Sequence, residues 1–399
     1  MPNTVTPSTE EINQILDKMY VWGRKSDWRG HNKHDGLNSP ILRWTMGWHR
    51  WMRLVAIQGV MRFPINLRPL FGTPKTYNPK GLALFATASL DRYQYSGEQH
   101  HLDEAVGFLD LLRTLVKPTP AGGAGWGYPY PWEDAGFFSP AFTPNAVVTS
   151  FVCEAFLYAH RVTGERAFLQ PVKNALPFFL SDLKQLKNEP DELCLSYQPV
   201  TMTVRVMDVS ILVGAVIAQY AAVCSDQELS KTAWRLVNYV VNRQTQDGAW
   251  FYTDPPEDSH VKIDNYHTGF ILDALHRAQV VYNEKRWAKA YDKGLAFYAK
   301  HLFSADGAPR WRSDREYPHD IHGAAQGILT FSRHMDQYSG LVERIAQWAV
   351  TTMYHQEGRF YYQESPWIKR RFTLLRWCNG WMSTALARLV LTKHQGLHS

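Results

Sequence analysis

The chain has 399 residues, of which 45% are hydrophobic and 20% are charged, so it can bury a large core. Its net charge of +6 is not gathered into a block of lysines and arginines, which argues against nucleic-acid binding. The four cysteines are far apart and form no CxxC pair, which argues against a disulfide framework and a zinc site.

The first residues are polar, and the longest apolar run, residues 211–223, is too short to cross a bilayer. We therefore expect a cytoplasmic protein without a transmembrane segment. None of the patterns HExxH, GxGxxG, GxSxG or the P-loop occurs. Zincins, dinucleotide-dependent enzymes, α/β-hydrolases and NTPases are disfavoured, and no metal or cofactor is expected.

The N-terminal residues 1–77 contain a predicted helix near residues 10–24 and another within residues 41–61. This segment does not share the pattern of the rest of the chain. We expect it to be a helical extension that packs against the following domain or covers a site.

From residue 78 onward, one unit repeats six times at intervals of 53–65 residues. The units begin at Asn78, Thr143, Arg205, Ile263, Asp320 and Thr373. Each opens with polar residues and a uniformly apolar helix. In most units a short link, a more amphipathic helix and a longer aromatic loop follow. Such apolar helices are typical of an inner layer, so residues 78–399 are predicted to form an all-α fold, an (α/α) toroid of about six helical hairpins with short β-hairpins in the loops.

The loops that lead into the inner helices are the long connections, and long loops on a rigid scaffold usually carry the site. Free amides and dipoles at the helix N-termini favour an anion there. Arginines recur at this rim. Those predicted to bind a carboxylate or phosphate of the substrate are Arg205, Arg310, Arg312 and Arg376.

The sequence "KIDNYHTGFILDAL", residues 262–275, places titratable groups at the start of an apolar helix. Asp264 alone is compatible with a helix N-cap. However, Asp320 and His322 begin another inner helix, and Asp208 begins a third. We therefore predict a catalytic acid–base set at one rim, made of Asp264, Tyr266, His267, Asp320 and His322.

The loop "GWGYPYPWEDAGFF", residues 125–138, is the second candidate region. Its flat aromatic faces are suited to stacking on sugar rings, and a carboxylate can bind hydroxyl groups. A loop stiffened by proline and glycine for structural reasons is the alternative. The predicted substrate-binding residues of this loop are Trp126, Tyr128, Tyr130, Trp132 and Asp134.

The toroid pattern, with "TGFILDAL" at 268–275 and "RWCNGWMSTALARL" at 376–389, resembles the C-terminal helical domain of the D-glucuronyl C5-epimerases. These enzymes invert C5 of uronic acid residues within a polysaccharide. The resemblance covers residues 78–393. It implies a base and an acid on opposite faces of the sugar, with Arg376 and Trp377 in the substrate site. The family's tyrosine two positions after this Arg-Trp pair is Asn379 here.

Other functions are also compatible with the sequence. A glycoside hydrolase would use Asp134 with Asp264 or Asp320 as its two carboxylates. A uronate lyase would share the base and the carboxylate clamp. An isoprenoid cyclase is disfavoured because no aspartate-rich cluster or membrane-docking segment is apparent, and a non-catalytic glycan-binding toroid is the remaining class. The expected partner is an acidic oligosaccharide or polysaccharide, in cell-surface polysaccharide biosynthesis, and a homodimer is compatible with the sequence.

Overall fold

The computed structural model describes residues 6–134, 137–200, 202 and 204–396. Three helices precede the repeat: α1 (Thr9–Lys25), α2 (Pro40–Met46) and α3 (Arg50–Arg62). The helices that follow are α4 (Pro79–Ser96), α5 (Gln99–Thr114), α6 (Ala146–Thr163), α7 (Leu169–Pro177), α8 (Met207–Cys224), α9 (Gln227–Val241), α10 (Asn265–Tyr282), α11 (Lys285–His301), α12 (Ile321–Phe331), α13 (Met335–Trp348) and α14 (Trp381–Gly396).

Short antiparallel strands occupy the loops between helical hairpins. Their bounds are β1 (Lys117–Pro118), β2 (Ala124–Gly125), β3 (Trp132–Glu133), β4 (Phe138–Ser139), β5 (Gln185–Glu189), β6 (Glu192–Leu195), β7 (Arg205–Val206), β8 (Thr253–Asp254), β9 (His319–Asp320), β10 (Tyr354–His355), β11 (Arg359–Phe360), β12 (Gln363–Glu364) and β13 (Lys369–Arg370). Among them, β13, β12 and β9 form a three-stranded sheet in which Gln363 lies opposite Asp320. This pairing brings two distant loops together at the start of α12.

The helices form a closed ring, which confirms the predicted (α/α) toroid. The inner layer consists of α4, α6, α8, α10, α12 and α14; each packs on the next, and α14 returns to α4. The outer helices α5, α7, α9, α11 and α13 pack on the inner helices that precede them. Because the inner helices meet neighbours on every side, their sequences are apolar around the whole circumference.

Among the described helices, α8 is the one long and apolar enough to cross a bilayer by composition. It is an inner helix, and most of it is buried within the ring. Its apolar character is therefore explained by the core.

Helix α1 packs on α14, at the place where the outer helix of the sixth pair would lie. Ile12, Leu16 and Met19 belong to the main hydrophobic core of the ring. The Tyr20 hydroxyl lies 3.1 Å from the carbonyl oxygen of Phe85, to which it donates. The first helix of the chain thus pairs with the last one.

Helices α2 and α3 instead surround a separate small core with Leu37.

Polar residues before several inner helices act as N-caps. The side chains of Asn78, Asn145 and Asp320 accept hydrogen bonds from backbone amides in the first turns of α4, α6 and α12. The predicted starts of these helices are therefore close to the observed ones. The last inner helix begins later than the predicted Thr373, because a π-helical turn over Arg376–Gly380 precedes it. Turns of this kind are common at functional sites.

Candidate functional site

The inner helices begin around a cavity of about 620 Å³. The inner helices and the π-helical turn contribute Lys80, Asp208, Tyr266, His267, His322, Arg376 and Trp377 to its wall. The long loops contribute Tyr128, Tyr130, Trp132, Asp134, Tyr197, Tyr252 and Trp311. The N-terminal segment adds Lys33, His34, Gln58, Met61 and Arg62. The cavity therefore depends on all three parts of the chain.

Asp264 and His267 form a pair at the start of α10. Asp264 occupies the N-cap position, yet its side chain makes no capping hydrogen bond. Both carboxylate oxygens lie 2.9 Å from Nδ1 of His267 instead. Asp264 is buried, whereas His267 keeps some exposure in the cavity wall. The carboxylate occupies Nδ1, so Nε2 is the ring nitrogen available for proton transfer to or from a ligand.

Tyr266 lies between two histidines. Its ring stacks on His322 with centroids 4.6 Å apart, and its centroid is 4.3 Å from that of His267. His322 is buried, and neither of its ring nitrogens has a hydrogen-bond partner in the structure. Burial, with the nearby charges of Lys80 and Arg376, holds the pKa of His322 well below its usual value. Burial raises the pKa of Tyr266 well above its usual value, so at neutral pH the imidazole is uncharged and the phenol keeps its proton.

Asp320 is buried behind the cavity wall and fully hydrogen-bonded. Oδ1 accepts from the backbone amide of His322 at 3.0 Å and from Nε1 of Trp377 at 2.8 Å. Oδ2 accepts from Nε2 of Gln363 at 2.7 Å. The carboxylate thus holds the indole and the first turn of α12 in place. We interpret Asp320, predicted as a catalytic residue, as a positioning residue.

Two buried lysines reach the cavity. Nζ of Lys80 lies 3.8 Å from the ring centroid of Phe151 and 4.5 Å from that of Phe270. Nζ of Lys33 lies 3.8 Å from the ring centroid of Trp377. Burial lowers the pKa of Lys33 to about 8 and that of Lys80 well below its usual value. An anion in the cavity would stabilise the charged form of both side chains.

Asp208, in the first turn of α8, is a second buried carboxyl group in the cavity wall. Its Oδ1 has no hydrogen-bond partner in the structure. Burial raises the pKa of Asp208, although His267 and Lys80 act in the opposite direction. A carboxyl group of this kind can hold a proton and donate it to a bound ligand.

Arg376 and the aromatic loop form another part of the wall. The guanidinium carbon of Arg376 lies 5.4 Å from the ring centroid of Tyr128 and 5.1 Å from that of Trp377. Its Nε is buried and has no hydrogen-bond partner in the structure. Tyr128 stacks on Tyr130 with centroids 5.3 Å apart, and burial raises the pKa of Tyr130 far above its usual value. The arginine is therefore held against apolar faces, with donor capacity left for a ligand.

The remaining residues of the aromatic loop have distinct surroundings. Trp132 stacks on His34, with ring centroids 5.8 Å apart. Glu133 is buried and lies 2.6 Å from Nε of Arg53, so its charge is used in a structural ion pair. Asp134 lines the cavity. Residues 135 and 136 of the predicted loop lie outside the described residues.

The structure brings most of the predicted site residues together. Those that line the cavity are Tyr128, Tyr130, Trp132, Asp134, Tyr266, His267, His322, Arg376 and Trp377. Asp264 and Asp320 support them from behind. Four others lie elsewhere. Trp126 is in the core with its indole donating to the carbonyl of Leu112, and Arg205, Arg310 and Arg312 do not line the cavity.

The sequence prediction placed Arg205, Arg310 and Arg312 in the site because the sequence does not specify the path of a long loop. Arg205 lies 3.4 Å from Asp254, and Arg312 lies 2.9 Å from Asp314. Sequence reasoning also missed Lys33 and Lys80. Lys80 could have been found, since it is a lone cation at the start of an apolar inner helix, "NPKGLALF". Lys33 lies in an irregular segment that offers no comparable signal.

A second cavity of about 690 Å³ opens at the other end of the ring. Phe270 lines both cavities and stacks on Trp381 at 5.2 Å, so these rings separate the two spaces. The charges of the second cavity are largely paired with one another, as in Asp273–Arg333 at 2.6 Å. Because the first cavity lies at the starts of the inner helices and brings together the unpartnered polar atoms of Asp208, His322 and Arg376, we take that one as the candidate active site.

Among the described residues, one group of side chains could hold a metal ion. Glu98, His100 and His101 form the group of potential ligands whose donor atoms lie within 4.8 Å of one another. They lie at the start of α5, away from the cavity residues.

The pKa of Lys33 gives a pH prediction. The affinity for an acidic oligosaccharide should decrease as the pH rises above about 8, because the buried amine then loses its charge. The loss should approach about tenfold per pH unit. Isothermal titration calorimetry with a uronic acid oligosaccharide would measure it, and Lys33→Met should remove this pH dependence. Identical pH profiles for the two proteins would contradict the assignment.

The lowered pKa of Lys33 also predicts how the stability of the folded protein depends on pH: stability should increase with pH, whereas the affinity for the ligand should decrease. The pKa of Lys33 is about 8 in the folded protein against 10.5 for an unperturbed lysine, so the folded protein loses this proton first. The unfolded chain then binds more protons, and the contribution of Lys33 to stability rises between about pH 8 and 10.5. Melting curves of the wild type and Lys33→Met should converge over that interval.

No family model and no curated protein sequence matches the chain. Solved structures do match it. The GH76 α-mannanase of Bacteroides thetaiotaomicron is 14% identical, with 81% of this chain and 88% of that chain covered and a TM-score of 0.61. Cellobiose 2-epimerase from Bacillus thermoamylovorans is 13% identical, with 82% and 90% covered and a TM-score of 0.62. A polysaccharide lyase is 12% identical, with 98% and 99% covered and a TM-score of 0.59.

At these identities the similarity establishes the fold alone. The fold is the α/α toroid, and the N-terminal segment lies within the part that superimposes on the lyase, because 98% of this chain is covered.

Proposed function

We propose that this chain is an enzyme that acts on a glycan containing uronic acid. The proposed step removes the proton from C5, the carbon next to the carboxylate, and the leading outcome is inversion at C5. The observation that carries the proposal is the Asp264–His267 pair, held at 2.9 Å, whose histidine lines the same cavity as Lys33, Lys80 and Arg376. Such a site combines a base with cations that bind a carboxylate.

His267 is the proposed base. Asp264 would hold Nδ1 and stabilise the imidazolium that forms when Nε2 accepts the C5 proton. The negative charge then moves onto the carboxylate of the sugar, which becomes an enolate. Arg376 Nε and the two lysines would stabilise that charge, and in a water-poor cavity fixed donors of this kind act strongly.

The product of the reaction depends on which group donates a proton after C5 has been deprotonated, and on the atom that receives it. Tyr130 comes from the aromatic loop, whereas Tyr266 is next to His267 on α10. Burial keeps both phenols protonated at neutral pH. A proton returned to C5 by Tyr130, from another wall of the cavity, would invert the centre. A proton given by Tyr266 to the oxygen at C4 would instead release the substituent there, as in a lyase.

The structural neighbours support a carbohydrate substrate without choosing among the reactions. Those reported above are named for a mannanase, an epimerase and a lyase. All three classes act on sugars, and the shared fold places their sites on a comparable scaffold only by analogy.

A hydrolase is the second candidate, because one observation favours it. Asp208 is a buried carboxyl group with a raised pKa and an unpartnered Oδ1 in the cavity. It has the properties of a general acid, and Asp134 in the same wall is the second carboxylate that hydrolysis needs. The two reactions differ in whether the C5 proton is exchanged.

Incubation with uronic acid oligosaccharides in deuterated water tests the proposal. Deuterium at C5 without cleavage, with a change in C5 configuration by NMR, is the expected result. Absorbance of an unsaturated product would indicate a lyase. Release of reducing ends without exchange would indicate a hydrolase, and an unchanged glycan would contradict all three.

A further inference from the structure

The N-terminal segment carries an unusual number of exposed apolar side chains. Of the sixteen large hydrophobic residues exposed within the described part of the chain, eight lie between residues 41 and 70. Trp44, Trp48 and Trp51 are 85%, 72% and 62% exposed. With Ile41 and Val55 they recur at intervals of three and four residues through α2, the short link that contains Trp48, and α3. Soluble surfaces rarely expose such a continuous apolar stripe.

The stripe is not a core face. The buried face of α2 and α3 consists of Leu42, Ala56, Ile57 and Val60, which pack in the small core with Leu37. The two helices therefore have apolar side chains on a buried side and also on the solvent side. Packing within the chain explains the buried apolar side chains. It does not explain the apolar side chains on the solvent side.

A further exposed tryptophan lies beside the end of α3. Trp367, in the turn between β12 and β13, is 92% exposed. Nη2 of Arg370 donates to the carbonyl of Arg62 at 2.7 Å, which fixes this hairpin to the end of α3. We call Ile41, Trp44, Trp48, Trp51, Val55 and Trp367 the tryptophan surface.

The charged residues of the segment that holds α2 and α3 are all basic, and Glu364 of the β12–β13 hairpin is paired with Lys369 at 2.8 Å. Residues 36–90 contain no aspartate or glutamate. Arg43, Arg62 and Lys75 in this stretch are exposed, and Arg371 is exposed next to the β12–β13 hairpin. Exposed tryptophans interspersed with arginines are typical of protein segments at the interface between a lipid bilayer and water.

The tryptophan surface borders the mouth of the active-site cavity. Gln58, Met61 and Arg62 of α3 line the cavity, as do Ser365 and Arg370 of the hairpin. Whatever covers the tryptophan surface therefore lies close to the entrance for the substrate.

We infer that the tryptophan surface docks on an anionic lipid bilayer, with the indoles at the level of the headgroups and the arginines near the lipid charges. Basic side chains add electrostatic attraction to the apolar contacts, and this attraction weakens with salt. Docking would place the cavity mouth at the bilayer, where a lipid-linked glycan could enter. The docking depends on the surface alone and does not rest on the proposed reaction.

Vesicle co-sedimentation tests the inference. The wild-type protein should bind vesicles of phosphatidylcholine with phosphatidylglycerol, and should bind pure phosphatidylcholine vesicles at least about tenfold more weakly. The triple variant Trp44→Gln, Trp48→Gln, Trp51→Gln should lose about tenfold or more in binding at an unchanged melting temperature, since these side chains are exposed. Val223→Gln with Val280→Gln, exposed at the second cavity, is the matched control and should bind as the wild type does.

Arg43→Gln with Arg371→Gln should weaken binding to anionic vesicles and reduce its dependence on salt. Equal binding by the wild type and the tryptophan variant would overturn the inference. So would a wild-type dimer, detected by analytical ultracentrifugation, that the tryptophan variant abolishes while vesicle binding is absent. That result would assign the surface to protein association. Either outcome leaves the deuterium experiment on the proposed reaction unaffected.

Discussion

Replacing His267 by alanine is expected to lower turnover by about 10²–10⁴-fold, the range for losing a general base. The loss follows from the position of the ring. Nδ1 is occupied by Asp264 at 2.9 Å, and the ring forms part of the cavity wall next to Tyr266. The melting temperature is also expected to fall, because the buried carboxylate of Asp264 would lose its hydrogen-bond partner. Measurements of kcat, C5 deuterium uptake and melting temperature check this prediction.

His276→Ala is the matched control. His276 is on the same helix, α10, but lines the second cavity, and the aromatic rings around Phe270 separate it from the proposed site. Its removal should leave kcat within about twofold of the wild type, because it contacts no reacting group. Asp264→Asn should also lower turnover, since the imidazole would lose the charge that orients it. Full activity in His267→Ala and Asp264→Asn together would refute the assignment of the base.

Replacing Arg376 by methionine is expected to weaken the binding of an acidic oligosaccharide about 10–150-fold, which corresponds to about 1.5–3 kcal/mol for a charge-assisted hydrogen bond. The buried Nε of Arg376 has no hydrogen-bond partner in the structure, so its donor capacity is available to a carboxylate. A neutral oligosaccharide of the same length should lose much less affinity. Calorimetric titrations with both ligands separate the charge contribution from a general change in the cavity.

Arg205→Met and Arg312→Met are the controls for this experiment. Both arginines were predicted from the sequence to bind the carboxylate, and neither lines the cavity. Their substitution should leave the affinity for the acidic ligand nearly unchanged. If Arg376→Met weakened acidic and neutral ligands equally, or if Arg312→Met had the larger effect, the carboxylate clamp would have to be assigned elsewhere.

The sequence by itself determined the architecture and the approximate position of the site. Six apolar helices at regular intervals cannot bury their surfaces except against one another, so the repeat implies a ring. Capping residues such as Asn78 and Asp320 mark where the inner helices begin. The cluster Asp264, Tyr266 and His267 follows from the same logic, because neighbours in the first turn of an inner helix must face the axis or its rim.

The role of each carboxylate was decided only by the tertiary structure. Asp264 and Asp320 both precede inner helices, and nothing in their local sequence distinguishes them. In the folded chain, Asp320 accepts hydrogen bonds from Trp377 and Gln363, which are more than forty residues away in the sequence. Asp264 meets His267 instead. Long-range packing therefore separates a positioning carboxylate from one that supports a base.

The surroundings of the arginines and of the exposed tryptophans were likewise decided only by the tertiary structure. Helical periodicity reports which side of a helix is apolar, but Trp44, Trp48 and Trp51 lie on a side that the described part of the chain leaves uncovered. Long loops have no periodicity, so the sequence could not tell that Arg376 enters the cavity while Arg205 pairs with Asp254. The sequence determined the ring because burial of apolar surface leaves few alternatives. The tertiary structure decided the surroundings of each polar group, because these depend on contacts between residues that are distant in the chain.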